Sequence, residues 1–172
     1  MSTAQTRPLR SVTVRSVGTG YYFFELIGGR GEPLESGWGD DEGRLRIKPE
    51  RVFVASGANI HYPEITLNSY DTEPPPSESP FALEVWGTWK VRMSKRVTVW
   101  SSDSYPADEK PLKLPASSND EYLMRVSAGH QDIGNQDLDD YVYEYNEQHD
   151  EAPVGLEHFV IDFWPAPKPA SS

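Results

Sequence analysis

The chain has no cysteine. Disulfides and thiolate zinc sites are therefore excluded, and the absence fits a reducing compartment. It also lacks any apolar run long enough to cross a membrane, and its first eight residues, MSTAQTRP, hold no apolar signal core. A cytoplasmic protein is the default expectation. Basic side chains are scarce: 16 Lys and Arg stand against 27 Asp and Glu, for a net charge of −11. That balance repels nucleic acid and anionic membrane, and favours basic partners or plain solubility.

Catalytic signatures are missing as well. No Gly-x-Ser-x-Gly elbow occurs, and none of the four histidines, His61, His130, His149 and His158, has a second one helical turn away. His130 with Asp132, or His158 with Asp162, would make a site only if their strands converged; surface positions at strand ends are the plainer reading. Asp137-x-Asp139-Asp140 resembles half of a calcium loop without its downstream Gly and Glu. Gly28-Gly29-Arg30-Gly31 has the glycines of a phosphate loop but not its Lys-Ser/Thr, and reads as a turn. In so acidic a chain, pairs of carboxylates point nowhere in particular. No catalytic residue, metal ligand or cofactor site is assigned, and an enzyme is not expected.

Five Trp, nine Tyr and six Phe supply large apolar area although the hydrophobic fraction is only 37%. Fifteen Pro and thirteen Gly punctuate many short elements. The strongest pattern closes the chain: Phe159, Ile161 and Phe163 alternate, Val160 and Trp164 lie on the other parity, and Pro165 halts the run. Its expected partner is the strand at 122–128. Further strands are expected at 11–15, at 21–27 (apolar on both faces, hence central), and at 45–47, 51–55 and 60–68. Others follow at 81–91, with Phe81, Leu83 and Val85 on one face, at 97–100, and as an edge piece at 112–115. Pro74-Pro75-Pro76 is a stiff connector within the domain. Roughly nine short strands without persuasive helical periodicity argue for an all-β fold, a single antiparallel β-sandwich. The domain is expected over 10–166, with a disordered leader at 1–9 and a disordered tail at 167–172. Only 133–148 could hold a helical turn.

A long acidic insertion, 131–155, precedes the last strand. It carries Asp132, Asp137, Asp139, Asp140, Glu144, Glu147, Asp150 and Glu151 without a single Lys or Arg. Tyr141, Tyr143 and Tyr145 sit at alternate positions within it. Tyrosine supplies contact area with a polar tip, and carboxylates steer a basic partner toward it. Asp137, Asp139, Asp140, Tyr141, Tyr143, Glu144, Tyr145 and Glu147 are the candidate partner-binding residues. The plainer alternative packs the tyrosines back on the domain and leaves the acids in water. A loop at 32–43 repeats the theme around Trp38. Trp38, Trp86 and Trp89 would be sugar-binding platforms if exposed, although core packing is their commoner fate.

Laid out in order, the C-terminal half resembles a known group. An apolar strand (Phe81 to Val85) is followed by Val97-Thr98-Val99 and the Leu-x-Leu-Pro of Leu112 to Pro115. Tyr-x-x-Arg-Val (Tyr122 to Val126) and Phe-Val-Ile-Asp-Phe-Trp-Pro (Phe159 to Pro165) complete the series. This resembles small bacterial β-sandwich proteins of the competence-protein-J type of nuclease inhibitor. The resemblance implies a non-catalytic inhibitor or immunity-type protein, whose acidic surface occludes a basic, DNA-binding enzyme face. The 131–155 segment has no placed counterpart there, and no functional residue is carried over. A structural subunit of a larger complex and a carbohydrate-binding module are the alternatives.

Overall fold

The computed structural model describes residues 6–29, 43–77, 79 and 82–171. The acidic loop with Trp38, and Phe81, lie outside the described residues. Among the described residues, ten strands form two five-stranded sheets, with one α-helix beside them. The strands are β1 (Arg10–Val14), β2 (Phe23–Gly28), β3 (Leu45–Lys48), β4 (Arg51–Ala55), β5 (Tyr62–Ser69), β6 (Glu84–Arg92), β7 (Arg96–Ser101), β8 (Leu112–Lys113), β9 (Glu121–His130) and β10 (Val154–Pro165). The helix, α1 (Leu138–Gln148), joins β9 to β10. The first sheet runs β1-β5-β10-β9-β6 and the second β3-β4-β2-β7-β8. No helix among the described residues is long and apolar enough to cross a membrane.

The closing strand is the middle of the first sheet. It pairs antiparallel with β9, Phe159 opposite Ala128 and Phe163 opposite Met124, as its pattern leads one to expect. On its other side it runs parallel to β5, Ile161 beside Leu67. The expectation of a purely antiparallel fold is thus corrected: β5 and β10 point the same way because the chain between them crosses over through β6 to β9 and α1. Phe159, Ile161 and Phe163 face inward and meet Phe24, Leu26, Val52, Val54, Val97 and Val99 of the second sheet in one buried cluster. Phe24 and Phe159 stack edge to face with centroids 4.9 Å apart. Strand β2 is central and buried along its whole length, in keeping with its two apolar faces.

Strand β6 departs from its expected facing. A register shift between Val85 and Gly87 breaks the alternation, so Val85 is half exposed while Trp86, Trp89 and Val91 turn to the core. Trp86 packs edge to face on Phe159 and lies beneath the Arg44 guanidinium. Neither Trp86 nor Trp89 offers a bare platform to a sugar.

Two buried polar groups sit on outward-facing positions. Asp162 of β10 is fully buried and takes Arg125 Nη2 at 2.8 Å, Asn68 Nδ2 at 3.0 Å and Ser77 Oγ at 3.2 Å. The same guanidinium donates to the carbonyls of Pro74 and Pro75, at 3.0 and 2.8 Å, which straps the proline connector across the sheet. On the second sheet Glu25 is buried beside Arg51, and its Oε2 has no hydrogen-bond partner among the described residues. Loss of hydration pushes the Glu25 carboxyl above its ordinary value of 4.5, and the Arg51 charge opposes that in part. Between the ordinary and the raised value, the folded chain holds a proton that the unfolded chain has lost. Glu25's contribution is therefore complete below pH 4.5 and declines as pH rises through the raised value. Glu25→Gln is expected to flatten that stretch of the stability–pH curve and to gain about 1 kcal/mol at neutral pH, read by urea denaturation.

Candidate functional site

Within the acidic segment, 138–148 folds as helix α1, inside the stretch 133–148 where a helical turn is expected from the sequence if anywhere. The helix follows from residues other than the alternating tyrosines. Asp137 caps its N-terminus, accepting the Asp139 N–H at 2.9 Å. Leu138 and Val142, one turn apart, bury against Ala58 with Ile133 and Leu156 alongside. The acids of the first turn suit the positive end of the helix dipole.

Helix α1 docks on the loop 56–61. Asp139 accepts the Asn59 N–H at 2.9 Å and the Tyr22 hydroxyl at 2.8 Å, and Asn146 donates to the Ile60 carbonyl at 3.0 Å. The bond to Asp139 and partial burial push the Tyr22 hydroxyl above its ordinary range. Gly57 permits the approach, because a Cβ there would stand 3.2 Å from Leu138 Cδ2.

Beneath the loop lies a buried polar knot. Glu157 accepts the Ser56 hydroxyl at 2.5 Å and the Gly57 N–H at 2.8 Å, while His61 Nε2 lies 2.9 Å from Ser56 Oγ and 3.4 Å from Glu157. Serine, histidine and a carboxylate together invite comparison with an acyl-transfer triad. Their order is wrong for one. A triad's acid orients the histidine nitrogen far from the serine, whereas Glu157 binds the serine itself and His61 Nδ1 has no hydrogen-bond partner among the described residues. The knot holds the loop that seats the helix.

The eight candidate residues consequently divide. Asp140, Tyr143, Glu144 and Glu147 fall at i, i+3, i+4 and i+7 and form one exposed stripe. Asp137 and Asp139 are committed to the cap and the tether. Tyr141 and Tyr145 are half buried, and the Tyr145 ring lies 4.1 Å from that of His149. Helical geometry separates the tyrosines that alternation had grouped. The histidine pairings do not converge either: His158 faces Glu64 at 3.5 Å, Asp162 is held by Arg125, and His130 Nδ1 lies 2.7 Å from the Gln131 carbonyl oxygen. Among the described residues no group of three or more His, Cys, Asp or Glu could hold a metal ion.

Sequence reasoning passed over Glu157 and Ser56, set His61 aside with the other histidines, and missed the residues around the tip of the loop. One signal existed for Glu157: it occupies the inward parity of Phe159 and Ile161, where an acid needs partners. Beside the helix, Ile60 is 59% exposed and adopts φ 55°. A β-branched residue rarely takes that left-handed conformation, and strain of this kind gathers at functional surfaces. Ile60→Asn, which tolerates the conformation, is expected to raise stability by about 1 kcal/mol in urea denaturation.

No protein-family model matches the chain, and no curated protein matches it. Among solved structures, ComJ from Bacillus subtilis, an inhibitor of the DNA-degrading activity of NucA, aligns over 93% of this chain and 98% of its own. The two are 11% identical, with a TM-score of 0.57, so the likeness is one of fold. The structure described as crocagin biosynthetic gene J covers 91% of this chain and 96% of its own at 14% identity, with a TM-score of 0.45 that carries no argument. The chain is a predominantly β protein that shares its fold with a nuclease inhibitor.

Proposed function

We propose that this protein is a non-catalytic, acidic binding protein of the inhibitor or immunity type, which docks a basic protein partner such as a nuclease. The two sheets serve as a sandwich scaffold, and the exposed stripe Asp140, Tyr143, Glu144 and Glu147 of α1 does the recognising. That stripe is the observation that carries the reading. A helix that merely covered the loop would need only its Leu138, Val142 and Asn146 side. Tyr143 is 67% exposed. Glu144 and Glu147 stand in the half of the helix where the dipole disfavours negative charge, and no basic residue occupies the last turn. Such placement costs stability and is retained where it serves contact. The fold shared with ComJ, described as the inhibitor of a nuclease, adds support for the partner class.

The test uses a triple variant, Asp140→Asn, Glu144→Gln and Glu147→Gln. Wild type is expected to retain a basic protein from host lysate and to suppress any DNA degradation by it. The triple variant, folded and at least as stable, is expected to lose most of that retention. Equal retention by both, or capture of no basic protein, would overturn the proposal.

A further inference from the structure

A pocket of about 390 Å³ opens beside the docked helix, lined in part by Ile60, His61, Tyr62, Asp103, Tyr105 and Ala152. It is contiguous with the α1 surface: Ile60 carries the carbonyl that Asn146 binds, and Tyr62 N–H donates to Pro153 just beyond Ala152. Tyr105 is 69% exposed and Tyr62 38%, so both aromatic side chains of the lining reach solvent. No Lys or Arg is among its lining residues, and Asp103 is their one carboxylate. Asp103 has no hydrogen-bond or ion-pair partner among the described residues. It is exposed, and its carboxylate stands over Gly20, where a Cβ would meet Oδ2 at 2.9 Å. The backbone around the mouth is strained at Tyr22, Ile60 and Ser104, all with φ near +60°.

We infer that this pocket receives a cationic side chain of the partner, a guanidinium held between the Tyr62 and Tyr105 rings and paired with Asp103. A planar guanidinium stacks on aromatic faces and pairs with a carboxylate at once, which an ammonium does less well. The walls offer an arginine both, and hold no Lys or Arg among the described residues. An apolar side chain would make no use of the Asp103 carboxylate. The inference rests on the reading of a basic partner and adds where that partner's anchor enters.

N-acetyl-arginine amide is the probe, with N-acetyl-citrulline amide as its neutral isostere, followed by amide NMR shifts at low ionic strength. The arginine probe is expected to shift signals of 60–62 and 101–105 saturably, with the citrulline probe about fivefold weaker or more. Asp103→Asn is expected to weaken the arginine response about fourfold, and Tyr105→Ala similarly, both being exposed and compatible with folding. Shifts confined to α1 would overturn this inference while leaving the docking helix standing. No shifts anywhere, with the arginine probe or with hexa-arginine, would overturn both. Equal responses to arginine and citrulline would overturn the cationic assignment alone.

Discussion

Asp162→Ala is expected to lower stability by about 4 kcal/mol, the largest loss from any single polar change in this molecule. The carboxylate is wholly buried and takes donors from Arg125, Asn68 and Ser77. Removing it leaves a guanidinium that is 6% exposed without its counter-charge. Breaking one half of a buried pair costs more than the pair contributes, because the remaining ion has lost water and partner together. The double variant Asp162→Ala, Arg125→Met is therefore expected to be less damaged than Asp162→Ala alone. Urea denaturation of the wild type, both singles and the double measures the coupling. Equal losses for the single and the double would show that the two side chains act independently. The strap over Pro74 and Pro75 hangs on the same guanidinium, so proteolysis within 71–77 is expected to quicken in the Arg125→Met single.

Glu157→Ala is expected to cost about 3 kcal/mol and to loosen α1. Its carboxylate accepts Ser56 Oγ and Gly57 N–H and lies near His61; without it the Gly57 N–H is orphaned, and Ser56 and His61 keep only each other and the Ala58 backbone. The loop they hold is the seat of Leu138, Asp139 and Asn146. Amide exchange in 138–148 is expected to accelerate well beyond that in β9 and β10, since the sheet pairing does not pass through Glu157's side chain. Uniform acceleration across sheet and helix would contradict the role given to the knot.

What the sequence disclosed follows from where the physics is local. Phe159, Ile161 and Phe163 announce a strand because a sheet face repeats every second residue, and their pairing with 122–128 emerged intact. The facing of Val85 was illegible, since it depends on a bulge at Gly87 that only the β9 neighbour imposes. In α1, a helical turn within 133–148 was legible but not its eleven-residue extent, which is set by the Asp137 cap and the Leu138 to Val142 step rather than by the alternating tyrosines. The acid-rich character of the candidate surface could be read directly. Its division into a tethered side and an exposed stripe could not, because that depends on a loop some eighty residues earlier in the chain, as the bond from Asn59 to Asp139 illustrates. Tyr62, Asp103 and Tyr105 likewise meet only through folding, and nothing in either segment points to the other.

Stopped-flow association with the captured partner, at low and at high salt, tests the central claim most directly. For the wild type the rate is expected to fall at least about tenfold with added salt. For Asp140→Asn, Glu144→Gln, Glu147→Gln it is expected to start low and change little. Identical rates and salt slopes for the two proteins would contradict the account.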